Sequence, residues 1–222
     1  MKIKLLTFIL MVIAVAGCKK DDTVTYPINY YGDRIEVQSK TRLFSKNGEI
    51  KDPIQIAEFT AGVEQFSDVI PEASAVEKNV LAATLLSFNE ARFGENPEKF
   101  SIEKKDNQYL FYAATEYRFT SEIEILTQLG KHSRKTNTFE PHQAWQTTWT
   151  YLGHEVKVAY GNQKELRFPR LAYYLAKKSD NGITSYAYGG WFNNEFNEGA
   201  LAYLREGELL AIKVYDVVCK SR

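Results

Sequence analysis

The chain has 222 residues, of which 44% are hydrophobic, and it carries 28 basic and 28 acidic side chains. This balance argues against nucleic acid as a partner, because phosphate binding depends on clustered Lys and Arg. The length suits one domain, or two small ones, with a full hydrophobic core.

The first segment has the order of a targeting signal. Lys2 and Lys4 precede an apolar run over residues 5–16, which is shorter than the roughly 20 apolar residues of a membrane-spanning helix. The sequence Val15-Ala16-Gly17-Cys18 resembles the lipobox of bacterial lipoproteins. That resemblance implies that lipid is attached to Cys18 and that the chain is cut before it. We therefore predict a signal peptide over residues 1–17 and a lipid anchor at Cys18, and two or three acyl chains make such an anchor durable.

Four charges follow the cysteine. The segment Lys19-Lys20-Asp21-Asp22 is similar to the charged export segment of Bacteroidetes surface lipoproteins, which implies exposure on the outer face of the outer membrane. A solvated tether is the simpler alternative and is compatible with export. We assign residues 18–32 to the lipidated tether and residues 33–222 to a single β-rich domain. Without residues 1–17 the chain has 205 residues, with 26 basic side chains against 28 acidic ones.

The start of the domain predicts a hairpin and one helix. Ile35, Val37 and Leu43 alternate with polar residues, and Asn47-Gly48 supplies the positive φ of a two-residue turn. Asp52 and Pro53 then suit the N-cap and first position of a helix over about residues 53–66. Apolar residues recur there at spacings of three and four, which is helical.

From residue 80 onward, short aromatic-rich segments separated by turn signals predict an antiparallel β meander. The segment SEIEILTQL, residues 121–129, alternates as a strand would, and Lys105-Asp106-Asn107 marks the turn of another hairpin. The stretch TRLFSKNGEIKDPIQIAEF, residues 41–59, is similar to the opening hairpin and helix of lipocalin-like lipoprotein domains. The predicted fold is mainly β, an antiparallel meander forming a lipocalin-like barrel or sandwich with one N-terminal helix.

Catalytic signatures are missing from the sequence. It has no Gly-x-Ser-x-Gly elbow, no His-Glu-x-x-His motif and no phosphate-binding glycine loop. We expect no metal site and no cofactor, because His132, His142 and His154 are widely spaced. Since Cys18 carries the lipid, Cys219 is left alone, and its apolar surroundings predict a buried small hydrophobe.

The strongest candidate for binding is YGGWFNNEFNEG, residues 188–199, predicted as a loop at the open end of the barrel. Trp191 would offer a stacking platform, while Asn193, Asn194 and Glu195 would hydrogen-bond to a ligand such as a sugar. The alternative is that Trp191 packs at the barrel rim and the asparagines only shape the turn.

A second aromatic group, Trp145, Thr147, Trp149 and Tyr151, would share one face if residues 143–151 form a single strand. Two function classes remain. The leading one is an outer-membrane-anchored, non-enzymatic binding domain for a small apolar molecule, a glycan or a protein. The other is a hydrolase acting on glycans or other extracellular polymers.

Overall fold

The computed structural model describes residues 24–61, 79–121, 125–126, 128–129, 140–145, 148–179, 182–192 and 195–222. The elements whose bounds are described are twelve β-strands, an α-helix and a 3-10 helix, and residues 125–126 and 128–129 are also helical. In chain order these are β1 (Ile28–Val37), β2 (Arg42–Ser45), β3 (Gly48–Ile50), α1 (Pro53–Ala61), β4 (Leu81–Leu85), β5 (Glu90–Phe93), β6 (Phe100–Lys105), β7 (Gln108–Ser121), β8 (Glu140–Trp145), β9 (Thr148–Gly161), β10 (Glu165–Ser179), β11 (Gly182–Phe192), the 3-10 helix (Glu198–Tyr203) and β12 (Glu208–Ser221).

Eight strands close into an antiparallel barrel. Their order is β1-β4-β5-β6-β7-β9-β10-β12, and β12 pairs with β1 to complete the ring. The closing strand β12 pairs with β10 from Glu208 to Lys220 and with β1 from Tyr215 to Ser221. Closure removes the free edges that an open sheet would expose. The mainly β, lipocalin-like barrel predicted from the sequence is confirmed.

Two of the barrel strands continue beyond the barrel. The second half of β10 pairs with β11, and the first half of β12 pairs with β2, which in turn pairs with β3. The result is a five-stranded extension sheet in the order β11-β10-β12-β2-β3. Helix α1 covers one face, where the rings of Phe59 and Tyr174 meet edge to face at 5.4 Å. The other face is covered by Ile125, Leu129 and the 3-10 helix.

Helix α1 begins where the sequence predicted. The Asp52 carboxylate accepts a hydrogen bond from the Ile54 N–H at 2.9 Å, which satisfies one of the free N–H groups of the first turn. Phe59 lies on the buried side of the helix, whereas Ile54 is 66% exposed. The helix is described as far as Ala61, so the predicted end near residue 66 lies outside the described residues.

Both predicted hairpins are present. Strands β2 and β3 pair around residues 46–47, and Gly48 has φ +114°, which favours glycine. Strands β6 and β7 pair around residues 106–107, and Asp106 has φ +54°. Ile35 and Val37, which the sequence placed in the first hairpin, belong instead to β1 and pair with β12. Cys219 is fully buried, as predicted.

Three local predictions were wrong. Ile125 has helical backbone and packs under the extension sheet, because a short apolar pattern fits a strand and a helix equally well. Residues 143–151 do not form one strand, since β8 ends at Trp145 and folds back on β9 from Thr148. Residues 28–32, assigned to the tether, already belong to β1 and pair with β4 and β12.

Candidate functional site

Several predicted site residues lie outside the described part of the chain. These are Cys18, the export segment Lys19-Lys20-Asp21-Asp22, and the amides Asn193 and Asn194. The backbone of Trp191 is described as part of β11, whereas its side chain is not. Glu195 is therefore the predicted binding residue whose contacts can be followed.

Glu195 is bonded to the outer wall of the barrel. The Tyr160 hydroxyl of β9 donates a hydrogen bond to its Oε1 at 2.5 Å, and Gln108 Nε2 donates to the same hydroxyl at 3.1 Å. Burial, and then the neighbouring Glu195 carboxylate, raise the pKa of Tyr160 to about 12. This carboxylate fastens the segment after β11 to the barrel wall.

The predicted loop over residues 188–199 is largely regular structure. Residues 188–192 pair with β10, and the register shifts between Gly189 and Phe192, which is a β-bulge. Asn197 caps the 3-10 helix, its side chain accepting from the Gly199 N–H at 2.9 Å. Glu198 forms an ion pair with Arg42 at 2.8 Å. The prediction of a loop was wrong for residues 188–192, because they pair with the edge of β10 where that strand continues beyond the barrel.

Aromatic side chains fill the barrel interior. Phe93, which is partly buried, contacts three other rings, with ring centroids 4.9 Å from Phe100, 5.1 Å from Phe111 and 5.8 Å from Phe168, all in edge-to-face geometry. Phe100 and Phe111 are at most 2% exposed. Edge-to-face pairs at these distances are the favoured aromatic contacts. Aromatic side chains therefore occupy this level of the barrel interior.

Charged groups lie beside this aromatic core. Lys157 Nζ is 5.4 Å from the ring centroids of both Phe93 and Phe100, and it pairs with Glu155 at 3.0 Å. Arg170 shares the inward face of β10 with Leu166 and Phe168, because side chains on a strand alternate. Its Nε is buried with no hydrogen-bond partner among the described residues, and burial lowers its pKa. The alternation Leu166, Phe168, Arg170 was visible in the sequence, although nothing there showed which face is internal.

A surface depression of about 460 Å³ lies where the chain passes from β1 to β2. It is lined by Val37, Gln38, Ser39, Lys40, Thr41 and Lys213. The Gln38 N–H donates to the Val214 carbonyl at 3.0 Å, and its Nε2 donates to Asp216 at 2.8 Å. Both bonds hold the connecting segment against β12.

The lining of the depression is rich in hydrogen-bond donors. The Ser39 hydroxyl is buried with no partner among the described residues, and Lys40 and Lys213 add two positive charges. Hydroxyl and ammonium groups complement carboxylate, sulfate or sugar hydroxyl oxygens. Sequence reasoning did not identify this site, because Lys213 is far along the chain from the other lining residues.

The positions of the described side chains bear on metal binding. They contain no group of three or more His, Cys, Asp or Glu residues placed to hold an ion. His154 Nδ1 lies 3.1 Å from the Ala113 carbonyl, while the side chains of His132 and His142 lie outside the described set. Within the same described ranges, no helix combines the length and the hydropathy required to span a bilayer.

Comparison with known proteins gave no match to a protein-family model, to a curated protein or to a solved structure.

Proposed function

We propose that this chain is an outer-membrane lipoprotein, anchored through Cys18, whose mature domain is a non-enzymatic binding domain that takes its ligand on the outer surface. We propose the outer surface and not the barrel interior as the binding site because Phe93, Phe100 and Phe111 pack against one another inside the barrel. Lipocalin-type carriers hold a small ligand in an open interior. A packed interior favours a glycan or protein ligand over a small apolar one.

The depression between β1 and β2 is the surface site we propose. It is a shallow depression open to solvent, which suits an extended ligand held at the surface better than a small molecule enclosed in a cleft. Two lysines and the Thr41 side chain offer donors, while Val37 offers an apolar contact. This combination suits an acidic glycan, whose carboxylate or sulfate oxygens accept from lysine and whose ring carbons contact an apolar side chain.

Matched lysine variants test the glycan proposal. Lys40→Gln combined with Lys213→Gln removes both charges from the depression, and Lys46→Gln removes one exposed charge from the β2–β3 turn as the control. On an array of acidic and neutral glycans, we expect the wild type and the control to retain acidic glycans and the double variant to lose them. Equal retention by all three proteins, or no glycan bound by the wild type, would contradict the proposal.

The sequence of residues 1–22 supports the anchoring and export parts of the proposal. Protease added to intact cells should digest the wild-type protein, while replacement of Lys19-Lys20-Asp21-Asp22 by alanines should protect it. Cys18→Ala should fail to incorporate labelled fatty acid. Protection of the wild type would contradict surface exposure, and label in the cysteine variant would contradict lipidation at that residue.

The hydrolase alternative has less support than the binding domain. Two carboxylates near the outer wall, Glu195 and Asp216, each accept a hydrogen bond from a neighbouring side chain, Tyr160 and Gln38 respectively. Burial raises the pKa of Asp216, although Arg167 and the Gln38 hydrogen bond act in the opposite direction. Both carboxylates are thus part of the internal bonding of the domain.

A further inference from the structure

One large apolar side chain is highly exposed to solvent. Phe88 is 77% exposed in the turn between β4 and β5, and among the side chains that the structure describes it is more exposed than the other exposed large hydrophobic residues, Val24, Val37, Ile54 and Val80. The turn itself is firmly held. The Leu86 and Ser87 N–H groups donate to the Glu90 carbonyl at 2.8 and 3.2 Å, and the Ser87 hydroxyl donates to Asn89 Oδ1 at 2.7 Å. The ring is therefore held outward by an ordered turn.

The same end of the barrel receives the chain from the proposed anchor. Ile28, the first residue of β1, pairs with Leu85, three residues before Phe88. Tyr26 packs against the barrel core, so the chain is fixed to the barrel from that point. Tyr26 is eight residue steps from Cys18, which limits their separation to roughly 28 Å at about 3.5 Å per step. We call this part of the domain the entry end; it comprises Val24, the turns at residues 86–89, 106–107 and 162–164, and Arg222.

Exposed cations lie at the same end of the barrel as Phe88. Lys105 adjoins the β6–β7 turn, which is the next turn around the barrel, and Lys164 lies in the β9–β10 turn on the opposite side. Arg222 lies with its guanidinium 5.4 Å from the Tyr31 ring, and Asp106 is an exposed acidic residue of the β6–β7 turn. The turns are bonded together, since the Gly161 N–H donates to the Asn107 carbonyl at 2.8 Å and the Ser221 N–H donates to the Lys164 carbonyl at 3.0 Å. An exposed aromatic ring and exposed cations at one end of the domain suit the headgroup region of an anionic bilayer.

We propose that the entry end docks on the phospholipid bilayer in which the Cys18 lipid is inserted, with the Phe88 ring between the headgroups. The inference rests on the proposed lipidation, because a single ring would bind too weakly to hold the domain there alone. Docking fixes an orientation that the tether by itself does not. It holds the depression away from the bilayer, since Lys213 lies eight residues from Ser221 along β12, about 26 Å at 3.3 Å per residue.

Fluorescent labels at the two ends of the domain test the docking. Phe88→Cys and, as the matched control, Ile54→Cys each place one accessible thiol at an exposed apolar position, and Cys219 is buried. Each full-length lipidated variant is labelled with an environment-sensitive fluorophore. It is then reconstituted in vesicles of phosphatidylethanolamine and phosphatidylglycerol, with or without brominated acyl chains. Flotation of the vesicles reports anchoring separately from docking.

We expect the label at position 88 to shift to the blue and to lose emission with brominated lipid, and the label at position 54 to do neither. If the vesicles float but the labels at positions 88 and 54 both report an aqueous environment, the docking is contradicted and the lipid anchor is still supported. Quenching at position 54 alone would also overturn it, by showing the reverse orientation. Protein that does not float would defeat the proposed lipidation and this inference with it.

Discussion

Replacing Phe111 by alanine tests whether the barrel interior is a packed core. The side chain is 0% exposed and its ring contacts those of Phe93, Tyr109 and Phe168. Burying one such ring contributes about 1.5–3 kcal/mol, and each favourable aromatic pair adds roughly 0.5–1.5 kcal/mol. With the cavity left behind, we expect Phe111→Ala to lower the free energy of unfolding by about 3–5 kcal/mol.

Urea unfolding followed by circular dichroism measures this loss. The matched control is Phe88→Ala, which removes the same ring from a position that is 77% exposed. We expect the control to change the free energy of unfolding by no more than about 0.5 kcal/mol. A loss below about 1 kcal/mol for Phe111→Ala would show that the interior is loosely filled, and a carrier function would then regain support.

Three further predictions concern the helix cap, the outer ion pairs and the buried arginine. Asp52→Ala should cost about 1 kcal/mol of unfolding free energy, and Asp52→Asn should cost much less, because asparagine also caps. Hydrogen bonds from Arg34 and Arg167 lower the pKa of Glu36, so its stabilisation is present above the unfolded pKa of about 4.3 and is lost as the pH falls through the folded value. Acid unfolding of Glu36→Gln should therefore show a shallower dependence on pH than the wild type, and an identical profile would contradict this. Arg170→Met should leave the free energy of unfolding unchanged or raise it by about 1 kcal/mol, and a loss above about 3 kcal/mol would instead reveal an essential anionic partner.

Local chemistry made part of this fold predictable. Asp52 and Pro53 mark the first turn of α1. The Asp52 side chain accepts a hydrogen bond from a free backbone N–H of that turn, and Pro53 has no backbone N–H that needs a partner. The turn at residues 106–107 was identified for a similar reason, since Asp106 tolerates a positive φ better than most residues. In both cases the deciding interaction spans no more than a few residues.

Features decided by distant partners were not predictable. The sequence Gln146-Thr147 carries no turn signal, yet β8, which ends at Trp145, pairs with β9 from Thr148, so that each strand gains a partner. Gly189-Gly190 lies in the segment that was predicted as a loop, although glycine within a strand also marks a bulge. The edge of β10 was available for pairing, so this segment forms a bulged strand and not a turn. For the same reason no local pattern identified the depression, whose Lys213 comes from β12.

The depression follows from the way in which β12 exchanges partners. One edge of β12 pairs with β1 as far as Tyr215, which lies opposite Val37, and with β2 from Ile212, which lies opposite Arg42. Residues 38–41 must cross this gap, and along it the Gln38 N–H donates to the Val214 carbonyl. No strand pairing joins residues 38–41 to β12, and these residues line the depression together with Val37 and Lys213. Any chain that closes this barrel and also builds the extension sheet needs such a crossing, so side chains at residues 38–41 could change to suit a ligand without altering strand pairing.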